Sequence, residues 1–136
     1  MKRPEMYIEM SLIFDNDYNV YKISEFLGIE PTDAKCKNET RINPISKDHN
    51  PGYWTLQSNI FFDFDIKQVV EDIVNQINDK IDSIVEICKN NQGEVKFDLV
   101  AYFYPNETPV IYFEKEFLEL VHKLNAEIDM DFYVYD

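Results

Sequence analysis

The stretch 66–90, IKQVVEDIVNQINDKIDSIVEICKN, decides the fold. Ile66, Val69, Val70, Ile73, Val74, Ile77, Ile81, Ile84, Val85 and Cys88 recur at steps of three and four. That is the helical period, and it gathers the apolar side chains into one broad stripe. Lys67, Glu71, Asp72, Asn75, Asn78, Asp79, Asp82, Glu86 and Lys89 fall mostly on the other side. Asp65 is placed to cap the first turn, with Gln68 three residues on to reach back. Asn90, Asn91 and Gly93 supply the stop. One helix over this stretch would run roughly 35–40 Å at about 1.5 Å per residue, enough to lie across a small sheet.

The flanking sequence alternates instead. In 7–15, Ile8, Met10, Leu12 and Phe14 share one face of a strand, while Tyr7, Glu9, Ser11 and Ile13 share the other. Asn16 or Asp17 is placed to cap a short helix with Val20, Ile23, Phe26 and Leu27 inside, stopped by Gly28 and Pro31. The segment 31–52 is irregular and holds Lys35, Lys37, Arg41 and Lys47, with at most a short strand over 40–45. The segment 53–58 is a strand carrying Trp54, and Phe61, Phe62 and Phe64 lead into the long helix.

Beyond Gly93, Val95, Phe97, Leu99, Ala101 and Phe103 alternate with Lys96, Asp98, Val100, Tyr102 and Tyr104. Pro105-Asn106-Glu107 suggests a turn and 109–113 a returning strand, giving a hairpin. A second short helix over 116–124 buries Phe117, Leu120, Val121 and Leu124, and Asn125 sits where left-handed helix ends are common. The last strand, 127–135, points Ile128, Met130, Phe132 and Val134 one way. Glu127, Asp129, Asp131, Tyr133 and Tyr135 point the other. Residues 1–136 therefore form a single α+β domain: an antiparallel or mixed sheet of about five to six strands, one long helix and two short ones. A ferredoxin-like or pseudo-duplicated arrangement is the expected topology, because each end carries a strand followed by a short helix.

Several pieces of this order resemble a known family. They are Phe14-Asp15, Ile23-Ser24, Leu27-Gly28-Ile29-Glu30-Pro31-Thr32, Tyr53-Trp54-Thr55-Leu56-Gln57-Ser58, the amphipathic helix, and Asp131-Phe132-Tyr133 near the end. Together they resemble the bacterial domain-of-unknown-function family numbered 4279 over nearly the whole chain. The chain departs from that pattern at Lys35-Cys36-Lys37, where a Lys-Gly pair is expected, and at Asn125, where glycine is expected. The resemblance implies an α+β domain of bacterial origin. It implies no activity and no catalytic residues.

Charge narrows the function. With 26 acidic and 13 basic residues the formal charge is −13, which argues against nucleic acid and against an anionic membrane surface. It suits solubility or a basic partner steered by the field. The two cysteines demand no disulfide, no run approaches transmembrane length, and a cytoplasmic setting is expected.

Catalytic and metal-binding patterns are weak. Asp15, Asp17 and Asn19 imitate the start of a calcium loop, but Val20 and Phe26 stand where glycine and a bidentate glutamate are required. Glu127, Asp129 and Asp131 lie too far apart along one strand to close on an ion unaided. Asp63 and Asp65 fit a helix start, and Cys36 and His49 lack an orienting group. No phosphate-cradling glycine loop exists. Neither a cofactor nor a metal is expected, the balance leans away from an enzyme, and the oligomeric state is left open.

Two readings remain. In the first, Glu9, Asp98, Tyr102, Tyr104, Glu127, Asp129, Asp131, Tyr133 and Tyr135, with Tyr7 and Tyr112 beside them, form an acidic sheet face studded with tyrosines. Such a face would bind a basic protein, in the manner of an immunity protein or antitoxin. The competing arrangement packs the long helix over the same rings. In the second reading, a small-ligand sensor or enzyme has a pocket built from Lys35, Lys37, Arg41 and Trp54.

Overall fold

Strand β1 (Glu5–Phe14) alternates as its sequence dictates: Met6, Ile8, Met10, Leu12 and Phe14 are all fully buried. The computed structural model describes residues 2–37, 39 and 50–136. In chain order the further elements are α1 (Lys22–Leu27), β2 (Asp33–Lys35), β3 (Gly52–Gln57), α2 (Ile66–Ile77) and α3 (Ile81–Asn91). They are followed by β4 (Gly93–Phe103), α4 (Lys115–Lys123) and β5 (Glu127–Val134). The strands form one five-stranded sheet in the order β2-β3-β1-β4-β5. All neighbours are antiparallel except β4 and β5, which run parallel and are joined through α4.

Register fixes the faces. Leu12 lies opposite Trp54 and Val95, Met10 opposite Leu56 and Phe97, and Ile8 opposite Leu99, so one side of the sheet is continuously apolar. The helices back that side. Helix α2 lies on β1 and α3 on β4. Phe117 of α4 meets Phe97 edge-on at 5.2 Å. Trp54 donates its indole N–H to Ser24 of α1 at 3.0 Å. A single core results, with Trp54, Phe14 and Phe97 among its largest members.

Three expectations are corrected. The stretch 66–90 is not one helix but two, α2 and α3, separated at 78–80. The Lys80 amide bonds back three residues to the Ile77 carbonyl, and Lys80 itself leaves helical geometry at φ −118°, ψ 5°. Asn78 and Asp79 suit such a step, because short polar side chains compete with the helix's own backbone bonds. On α3, Ile87, outside the expected stripe, is buried, and Val85, inside it, is half-buried. The start holds as expected: Asp65 accepts from the amides of Lys67 and Gln68 at 3.1 and 3.4 Å.

Second, the hairpin is absent. The segment 109–113 is not a strand, and β4 has β1 on one side and β5 on the other, so no edge is left for it. Pro105 and Pro109 also lack the amides a returning ladder would use. Third, a ferredoxin-like plan sets another strand between the two parallel strands that each helix bridges, and a duplicated plan repeats one arrangement in both halves. Here β1-α1-β2 has β3 between its strands, whereas β4 and β5 are joined through α4 and pair directly in parallel.

Smaller differences concern α1. It starts at Lys22 rather than after Asn16 or Asp17, and Phe26 is 58% exposed rather than buried. Gly28 and Asn125 both take the left-handed backbone that ends their helices, at φ 71° and 53°. The strand expected over 40–45 lies outside the described residues.

Candidate functional site

The odd-numbered residues of β1 and β5 and the even-numbered ones of β4 share the sheet side away from the core, because paired residues in register point the same way. Glu9 lies opposite Gln57 on β3 and Asp98 on β4, and Asp98 lies beside Asp129 on β5. Three carboxylates thus line up across three strands. Asp131 follows beside Val100, and Glu127 lies beside Lys96. Among the described residues no helix covers this side.

Lys96 stands among the acids. It holds Asp129 at 2.6 Å and reaches Asp98 at 3.9 Å. Its pKa is raised, first by the hydrogen bond to Asp129 and then by the carboxylates around it, against the opposing effect of burial. The remaining charge shows at Glu9 and Asp98. Both carboxyls are pushed up, first by partial burial. Asp98 and Asp131 add repulsion at Glu9, and Asp131 and Asp129 do so at Asp98, where Lys96 pulls the other way.

The tyrosines gather at one end of the face. Tyr102 stacks on Tyr133 with centroids 4.7 Å apart, and Tyr135 lies 6.0 Å from Tyr102 and 4.9 Å from Tyr104. The Tyr104 and Tyr135 hydroxyls donate to the Lys2 and Arg3 carbonyls at 2.9 and 3.2 Å. Tyr7 is pushed up to about 12, first by burial and then by Glu9. Toward β3 the face turns neutral, with the Ser11 and Thr55 hydroxyls bonded at 2.7 Å. A shallow depression of about 500 Å³ lies there, lined in part by Glu9, Ser11, Asp33, Tyr53 and Thr55.

All nine residues assigned from sequence to this face sit on it or at its tyrosine end. Tyr112 does not. It lies on the helix side, lining an apolar cavity of about 400 Å³ with Ile66, Val70, Val74, Phe117 and Leu120. Sequence reasoning missed Lys96, although its place two residues before Asp98 puts it on the same face. Asp33 was missed because the three-residue β2 carries no periodic signal, and Tyr53 because the 53–58 strand was read for Trp54 on its other face.

The basic-loop residues do not converge with the tryptophan. Trp54 is fully buried in the core, whereas Lys35 pairs in register with Tyr53 on the opposite face. Lys35 bonds the Asn50 side chain, and Lys37 is held by Asp15 at 3.1 Å. Arg41 and His49 lie outside the described residues. Among the described residues no group of three or more His, Cys, Asp or Glu is arranged to hold a metal, and no helix is long and apolar enough to cross a membrane.

Fold and face together define an α+β domain with a mixed sheet, helices on one side and an open, acidic, tyrosine-bearing surface on the other. The chain belongs to the family described as Domain of unknown function (DUF4279), whose model matches residues 5–135. No curated protein and no solved structure matches it.

Proposed function

We propose that this domain is a non-enzymatic binding module whose acidic tyrosine face takes a basic protein, in the manner of an immunity protein or antitoxin masking its target. One observation carries the reading: Glu9, Asp98 and Asp129 stand side by side across three adjacent strands. Like charges directly opposite one another destabilise a sheet, so this row is a cost to the fold that a cationic partner would relieve. The adjoining rings offer contact area with little loss of side-chain entropy, and the net charge of −13 speeds encounter with a basic surface.

The test compares tagged wild-type protein with the D129K/D131K variant in pull-downs from host lysate at low and high salt. The reading expects a basic protein that is stoichiometric with the wild type, weakened by salt and lost with the variant. Retention by the variant would remove this face from the interface. The small-ligand alternative is weaker, because Lys35 and Trp54 lie on opposite sides of the sheet.

A further inference from the structure

The face ends at a strand with an open side. Strand β5 is the last in the sheet, and among the described residues nothing pairs with its outer edge. Tyr135 donates its amide to the Phe103 carbonyl at 2.8 Å, on the β4 side. Backbone groups alternate in direction along a strand, so the amides and carbonyls of Met130, Phe132 and Val134 turn outward. The side chains of those three residues are unusual for the core side of a sheet: they are 49%, 48% and 55% exposed. A strand paired in parallel fashion is ordinarily covered on both faces, and a long edge is ordinarily blunted. This edge offers free backbone groups, an apolar row on one side, and Glu127, Asp129 and Asp131 on the other.

We infer that β5 is a docking edge, on which the basic partner adds an extended segment as a sixth strand with basic and apolar residues in alternation. The inference rests on the reading of the acidic face and specifies how that face is used. Lysines or arginines at every second position of the incoming strand meet the carboxylates. The residues between them cover Met130, Phe132 and Val134. A second copy of this chain is a poor occupant. A two-fold centred on Met130 sets Asp129 against Asp131, and one centred on Asp131 sets that residue against itself. One centred on Phe132 avoids this but pairs Asp129 and Asp131 with Tyr135 and Tyr133 and brings the carboxylates no cation.

The experiment follows backbone amide exchange by NMR on the full chain. Two lysine–valine decapeptides of identical composition are added, one strictly alternating and one with the lysines and valines in separate blocks. The alternating peptide is expected to bind in a salt-sensitive manner, at least about tenfold tighter than the block peptide. It should slow exchange at Met130, Phe132 and Val134 while leaving the amides of Asp129, Asp131 and Tyr133, which face β4, unchanged. Salt-sensitive binding of both peptides without new protection at these amides would overturn strand addition and leave the acidic-face reading standing. Binding of neither would overturn both.

Discussion

Glu9 and Asp98 face each other across the β1–β4 ladder, two carboxylates in register on the open side of the sheet. Both carboxyls hold their protons more tightly folded than unfolded. A group whose folded pKa is raised loses stability as the pH climbs from its unfolded to its folded value. The pair therefore weakens the fold at neutral pH, and acidification through the carboxylate range relieves it. The Glu9→Gln variant is expected to be more stable than wild type at pH 7 by about 0.5 kcal/mol. The advantage should shrink as the pH is lowered. Urea unfolding at neutral and mildly acidic pH measures both. A variant no more stable than wild type at neutral pH would show that the repulsion is already neutralised by Lys96.

Gly93 opens β4 directly opposite Phe14, and a Cβ built there would overlap the Phe14 ring. That ring is fully buried and packs on Tyr18 with centroids 4.8 Å apart, so it has little room to retreat. Replacing a strand glycine with alanine ordinarily gains about 0.5–1 kcal/mol by reducing backbone entropy. Here overlap should win, and Gly93→Ala is expected to cost about 1–3 kcal/mol in denaturant unfolding. Pairing it with Phe14→Leu should return part of the loss, because the smaller side chain vacates the space. Additive losses in the double variant would mean that the ring is not the obstacle.

The faces of this sheet were legible in sequence because a strand's period of two leaves no choice once one side is apolar. Ile8, Met10, Leu12 and Phe14 fix which way Tyr7 and Glu9 point, and the same logic holds for β4 and β5. The break between α2 and α3 was not legible. Ile77 and Ile81 are four residues apart, as in an unbroken helix, so the stripe crosses the step at 78–80 without a visible fault. Only the backbone at Lys80, out of helical geometry, marks it. Pairing was hidden for another reason. Whether β4 takes 109–113 or β5 as its neighbour is a competition between distant segments, and no local pattern records which one wins.

The two cysteines should separate cleanly in reactivity. Cys88 sits at 9% exposure on the inner face of α3, and burial pushes its thiol up to about 11. The thiolate is the reactive form, so at pH 8 this residue is both hidden and protonated. Cys36 is partly exposed beyond the end of β2, with its sulfur 3.8 Å from the Asn19 side chain. Ellman's reagent is expected to titrate one thiol in the native protein and the second only on denaturation. Fast reaction of both without denaturant would mean that the α3 face opens readily.

Tyr7 tests the tyrosine end of the face from the alkaline side. Its phenol is pushed from an ordinary 10.0 up to about 12, first by burial and then by Glu9, Tyr102, Glu5 and Tyr133. The folded state therefore keeps this proton after the unfolded chain has lost it. Stability present below pH 10 must drain away as the pH rises from about 10 toward 12. The Tyr18 and Tyr135 hydroxyls are shifted in the same direction, so the wild-type loss is shared. Tyr7→Phe removes one contributor without removing the ring, and it should flatten the fall in melting temperature between pH 9 and the alkaline limit. Absorbance titration of the phenolate band should show one fewer late-ionising tyrosine in the variant. An unchanged alkaline slope would assign the loss to Tyr18 and Tyr135, and would leave Tyr7 with enough access to water to ionise as freely as it does in the unfolded chain.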